Sequence, residues 1–273
     1  MRAIVLHAGG TGDLVLLESY FAALRAQHDD VHLALVCRAD VAPVASLYAN
    51  PPSEVQAFTF NPYSWTTAGT LDLDELRALT AWCSAYRSDV FVGAELRGTA
   101  LTAVLAAACG SPRIVVSDAV ALADPVGARV AETLQYEPPA TVEIVPPAAG
   151  EHELDRYARL AGAPARRAPR LQAWADPGVP ILAVFPAGAP AIKLLPDEVV
   201  VEAATHSALA LGVPIALIGA EHERERLQTL AARFGEPPEI ITGAPDQLSA
   251  VARRLAGARA FLGMTRKPFD RGL

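Results

Sequence analysis

Apolar residues follow two alternating rhythms along this chain. Short unbroken runs predict buried strands over 2–6, 31–36, 55–60, 90–93 and 113–116. Between them, apolar positions three and four apart predict helices. Leu14, Leu17, Phe21 and Leu24 share one face after the first run, and 73–86 and 99–109 repeat the pattern. Asp72 stands where the helix over 73–86 needs an N-cap. Such alternation implies a parallel sheet with helices on both faces.

Between 124 and 180 the alternation loosens and prolines gather, from Pro138-Pro139 through Pro146-Pro147 to Pro177 and Pro180, around a predicted helix at 151–160. It then resumes, with strands expected over 181–185, 215–218, 240–241 and 259–262 and helices over 197–211, 221–234 and 247–255. The expected organisation is an α/β chain of two Rossmann-like parallel-sheet domains facing a cleft. Residues 1–150 form the first, 151–180 a linker carrying a helix, and 181–273 the second.

Composition narrows the function classes. The net charge of −7 argues against nucleic acid as a partner. The longest apolar run, 100–109, is too short to span a bilayer, and Arg2 leads straight into a strand rather than a signal peptide. Cys37, Cys83 and Cys109 lie far apart without zinc spacing, which suggests buried, reduced thiols in a cytoplasmic protein. Among 23 basic residues only Lys193 and Lys267 are lysines, as GC-rich coding would produce. A lysine in that background is notable, because a compact ammonium acts as a point charge on phosphate.

The first strand ends in His7-Ala-Gly-Gly-Thr-Gly-Asp13. Glycines there let the backbone turn tightly, at the end of a strand where α/β proteins place chemistry. A dinucleotide fingerprint from Gly10 would need glycine at Val15, and no Gly-Lys-Ser/Thr follows, so a phosphate cradle fits poorly. A carboxylate at this position suits a general base. Taken alone, the turn reads more simply as a helix cap by Thr11 or Asp13. The second half opens in the same way, with a small-residue loop, 185–196, holding Lys193 before Pro196, Asp197 and Glu198 start a helix. Lys193 is placed to meet a phosphate or to be a solvated surface lysine. Gly219-Ala-Glu-His-Glu223 follows another strand, and a carboxylate there suits a ribose hydroxyl or a first helical turn. His222 has no metal-spaced partner, Asp72-Leu-Asp74 reads as helix capping, and Arg166, Arg167 and Arg170 read as a solvated linker face, with phosphorylated lipid as the other reading.

Taken in order, these segments resemble glycosyltransferase family 9, the bacterial lipopolysaccharide heptosyltransferases. The carriers are the strand–Gly12-Asp13–helix opening, Glu95-Leu-Arg-Gly98, Gly110-Ser-Pro-Arg113, the Lys193-x-x-Pro196 spacing, Gly219 to Leu227, and the helix and strand ending at Gly263. The resemblance implies a GT-B fold and inverting transfer of heptose from ADP-heptose to a lipopolysaccharide core or related lipid-linked acceptor. That places the chain in the cytoplasm, peripheral to the inner membrane face. It makes Asp13 the base, on a loop shared with Thr11 and Gly12. It makes Gly188, Ala189, Lys193 and Glu223 the donor-binding residues, with Lys193 in place of a metal and no other cofactor.

After the strand over 259–262 the family continues Gly-Asn-Asp-Ser-Gly-Pro-x-His, whereas this chain reads Gly263-Met-Thr-Arg-Lys-Pro-Phe-Asp-Arg-Gly-Leu273, with Thr265 and Asp270 at the donor-contacting places. Loss of one adenine from Gly-Asn-Asp-Ser codons yields Gly-Met-Thr-Arg, the residues at 263–266. The expectation is an incomplete second domain and poor donor binding. A non-catalytic sugar- or lipid-binding scaffold remnant of the family is the competing expectation.

Overall fold

A computed structural model of the chain describes residues 1–64, 72–95, 98–118, 122–139, 141–172, 179–186, 195–244 and 247–263. The chain divides into two compact units, Met1–Gln172 and Ala173–Leu273.

In the first unit, β1 (Arg2–His7), β2 (His32–Arg38), β3 (Glu54–Phe58), β4 (Val90–Gly93), β5 (Arg113–Val116) and β6 (Glu143–Ile144) form one parallel sheet in the order β3-β2-β1-β4-β5-β6. The central strands are buried on both faces, so they read as unbroken apolar runs. Helix α1 (Thr11–Gln27) lays Leu14, Leu17, Phe21 and Leu24 into the core. Helix α2 (Leu73–Tyr86) is capped by Asp72, whose carboxylate accepts from the amides of Asp74 and Glu75, and its chain turns away at Arg87 in the left-handed region (φ 52°). Helix α3 (Ala100–Cys109) ends on Gly110, where φ is 56°.

Two elements between 124 and 150 escape the sequence reading. Asp124 caps α4 (Pro125–Thr133), with Pro125 in its first turn, and β6 adds two residues to the sheet edge. Helix α4 packs close on α3, since a Cβ on Gly127 would stand 2.7 Å from the Ala100 carbonyl oxygen.

The expected linker is also different. Helix α5 (Glu153–Leu160) packs on α1 as part of the first unit, with Arg156 and Tyr157 fully buried. The chain after it pairs at Tyr48–Leu171, where Gln172 N–H donates to Leu47 O. The division between the units falls after Gln172, inside the expected linker, so the proline-rich stretch covers both an irregular path of the first unit and the boundary.

The second unit holds β7 (Ile181–Phe185), α6 (Asp197–Leu211), β8 (Ile215–Ala220), α7 (Arg224–Ala231), β9 (Glu239–Gly243), α8 (Leu248–Leu255) and β10 (Ala258–Gly263). Its parallel sheet runs β9-β8-β7-β10, the order of β3-β2-β1-β4 in the first. One face packs Leu182, Val184 and Leu217 against α6 and α7, and the other packs Ile181, Ala183 and Ile218 against Leu255. Strand β10 pairs with β7, and its Phe261, 61 % exposed, stacks on Phe185.

Candidate functional site

Strand order in the first sheet reverses between β1 and β4, and ligands of open α/β sheets bind outside the carboxyl ends of such a pair. Asp13 and Glu95 both lie there, on the turn after β1 and just past β4.

Thr11, Gly12 and Asp13 are exposed in the first turn of α1. Asp13 serves as both cap and exposed carboxylate: its Oδ2 accepts the Gly10 N–H at 3.0 Å, and the side chain faces solvent. The neighbouring amides are also taken. Gly9 N–H donates to His7 Nδ1 at 3.0 Å and Ala8 N–H to Glu95 Oε1 at 2.9 Å. Three successive N–H groups are therefore filled by the chain's own side chains, and a phosphate nest needs such groups open. Along residues 8–10 the turn presents an anion rather than a place for one. Gly9 is the glycine it requires, since a Cβ there would stand 2.4 Å from His7 Cε1 and 2.8 Å from Asp13 Oδ2. A Cβ on Gly12 would meet no atom within 4 Å.

Behind the turn lies a buried polar assembly. Glu95 is 3 % exposed, and its second oxygen accepts from the Thr102 hydroxyl at 2.9 Å. Burial pushes its carboxyl up to about 7, against the opposing effects of the Ala8 and Thr102 hydrogen bonds and the Arg156 charge. His7 is buried at the end of β1, where burial lowers it to about 4 and keeps the ring neutral. With Nδ1 accepting from Gly9, the pattern assigns the ring proton to Nε2, which donates to the Tyr157 hydroxyl at 3.1 Å. Arg156 grips the carboxyl ends of β4 and β5. It donates to Ala94 O at 2.8 Å, to Glu95 O at 3.4 Å and to the Ser117 hydroxyl, and it pairs with Glu153. Tyr63, on the 3-10 turn Pro62–Ser64, is half-exposed. Burial and then the charges of Glu95 and Asp13 push its phenol up to about 12, so the hydroxyl stays protonated beside the two acids.

In the second unit, β8 ends in the 3-10 turn Glu221–Glu223 that leads into α7. Glu223 Oε2 accepts the Ala220 N–H at 2.8 Å, which caps the turn. Glu221 is clasped by Arg224 and Thr242, whose hydrogen bonds hold its carboxyl down at about 2. A Cβ on Gly219 would stand 2.9 Å from Glu223 Oε2 and 3.0 Å from Leu227 Cδ1, so a side chain there would displace the Glu223 carboxylate. Gly188, Ala189 and Lys193, and the tail carrying Thr265 and Asp270, lie outside the described residues. Pro196 stands at the entry to α6, with Asp197 and Glu198 in its first turn, as the sequence predicts.

The sequence reading names Asp13 and Glu223 but passes over His7, Tyr63, Arg156 and Tyr157, and it holds Glu95 only as a letter in a motif. The one signal available was a polar residue inside or next to each apolar run, at His7 and Glu95.

No family model matches the chain, and no curated protein does. Solved structures do. A glycosyl transferase family 9 protein from Veillonella parvula superposes with a TM-score of 0.74 at 15 % identity, over 96 % of this chain and 74 % of that one. The E. coli heptosyltransferase WaaC, solved with ADP-2-deoxy-2-fluoro heptose, gives 0.68 at 20 % identity, over 97 % and 82 %. E. coli ADP-heptose lps heptosyltransferase II gives 0.65 at 16 %, over 97 % and 79 %. At these identities the likeness is one of fold: two parallel sheets with alternating helices, GT-B-like, the second smaller than the first.

Proposed function

We propose that this chain is a glycosyltransferase of family 9 that transfers heptose from ADP-heptose to a lipid-linked saccharide of the lipopolysaccharide core type. The observation that carries the reading is the exposed Asp13 carboxylate at the β1–β4 reversal, on a turn whose Ala8, Gly9 and Gly10 amides are filled by side chains. In the proposed reaction an acceptor hydroxyl oxygen attacks the anomeric carbon as Asp13 takes its proton. The bond from that carbon to the phosphate oxygen breaks, ADP leaves with the electron pair, and the anomeric centre inverts. Lys193 would meet the charge growing on the departing phosphate in the role a metal takes elsewhere, with Gly188 and Ala189 offering backbone groups. Glu223 would bind the nucleoside. The reading places the protein in the cytoplasm at the inner membrane face. Among the described residues no helix is long and apolar enough to cross a membrane.

Thermal unfolding with a panel of nucleotide sugars tests this directly. A donor that binds the folded state stabilises it by about 2.7 kcal/mol at one hundred times its Kd. ADP-heptose is expected to raise the Tm above the other donors, by less than this ceiling because Thr265 and Asp270 stand at the donor-contacting places. Asp13→Asn should keep that rise while transfer falls about a hundredfold or more. A panel without any rise, or Asp13→Asn turning over at the wild-type rate, would refute the reading.

A further inference from the structure

Glu95 is the long-range tie on the Asp13 turn. Of the three side chains that fill the turn's amides, His7 and Asp13 belong to the turn itself, and Glu95 comes from the end of β4. Resting on Asp13 as the base, we propose that Glu95 is its positioning residue. Its carboxylate holds the Ala8 amide with one oxygen and the Thr102 hydroxyl with the other, and so fixes the turn against β4 and α3.

The Ala8–Glu95 bond is buried, so without Glu95 that amide would be left without a partner away from water. Thr102 is itself held, since its hydroxyl oxygen accepts the Thr99 N–H at 3.0 Å in the first turn of α3. The main chain of Glu95 is pinned as well, by Arg156 on its carbonyl oxygen and by the neighbouring Ala94 N–H on Leu6 O at 3.0 Å. The clamp therefore rests on a strand end that is itself held on both sides. The titratable groups around this point are Arg156 from α5, Tyr63 from the turn after β3, and His7 and Asp13 on the turn. Glu95 touches none of the reacting atoms and acts through the placement of Asp13.

Hydrogen exchange of the purified protein reads this without requiring turnover. In Glu95→Ala the amides of 8–13 are expected to exchange about tenfold faster, with those of β2 unchanged. Glu95→Gln should restore the rate, since its carbonyl accepts from Ala8 and its amide donates to Thr102. Should Glu95→Ala fail to fold, Thr102→Val removes one arm of the clamp and is expected to give a smaller acceleration confined to the same segment. Exchange at 8–13 that stays at the wild-type rate, or that rises equally in β2, overturns the proposal. In transfer assays Glu95→Ala should lower kcat about a hundredfold with donor KM unchanged, and Glu95→Gln should recover it. A change in KM alone overturns it. A wild-type protein that transfers nothing removes Asp13 as a base, and exchange still decides whether Glu95 holds the turn.

Discussion

Glu95→Gln should unmask a pH dependence that two buried groups hide from each other. Burial lifts the Glu95 carboxyl from 4.5 to about 7. An acid with a raised folded value keeps its proton in the folded state while the unfolded chain has lost it. Stability therefore falls as pH rises from about 4.5 to about 7 and is level above. The full fall is about 3 kcal/mol, at 1.36 kcal/mol for each tenfold step. His7 does the reverse. Burial lowers it from 6.5 to about 4, so the unfolded chain binds the extra proton and stability rises by a similar amount from pH 4 to 6.5. Between about pH 4.5 and 6.5 the two slopes nearly cancel, and their contribution to the wild-type curve is flat.

Glutamine keeps the shape and both hydrogen bonds of Glu95 and removes the charge. What remains is the His7 slope, so the Glu95→Gln protein should gain on wild type by about 2.5 kcal/mol between pH 5 and pH 8. Glu18, which burial also raises, is common to both proteins and drops out of the difference. Urea unfolding at several pH values measures this. It can be followed by tryptophan fluorescence, which reports the first unit through Trp82 packed against its core. An unchanged m-value would show that the gain is one of stability rather than of altered compactness. Two curves running parallel from pH 5 to pH 8 would refute the reasoning, because the Glu95 charge would then carry no burial cost.

Two further substitutions test the packing around the turn. Gly9→Ala should destabilise the fold by about 1–3 kcal/mol, since its Cβ would meet His7 and Asp13, while Gly12→Ala should leave the melting temperature unlowered. Arg156→Met should cost about 3–5 kcal/mol in urea unfolding, because it strips partners from Glu153, Ser117 and the carbonyls of Ala94 and Glu95.

What the sequence made legible was local. Helix α2 could be placed at both ends because its cap, Asp72, is three residues from the amide it binds and its apolar positions repeat on one face. Asp13 could be found for the same reason, being three residues from the Gly10 amide it accepts from. The layout of strands and helices followed from periodicity, and two parallel sheets are what such alternation builds. Strand β6 could not be read, because two exposed residues carry no period and join the sheet only through β5. Helix α4 was announced by Asp124-Pro125, but the surrounding prolines read as punctuation.

The larger omission has one cause. Arg156 and Tyr157 look like the solvated side of a short helix, yet their partners Ser117 and His7 stand 39 and 150 residues earlier in the chain. Glu95 looks like a motif letter, yet its partner is an amide 87 residues before it. A carboxylate in a turn is visible from its neighbours, and the groups that hold it still are not. The difference follows from the fold. A parallel sheet brings the carboxyl ends of β1, β4 and β5 together from distant stretches of sequence, and the buried polar assembly behind the turn forms only there. The carboxylate proposed as the base is therefore a property of seven residues, and its placement is a property of the sheet.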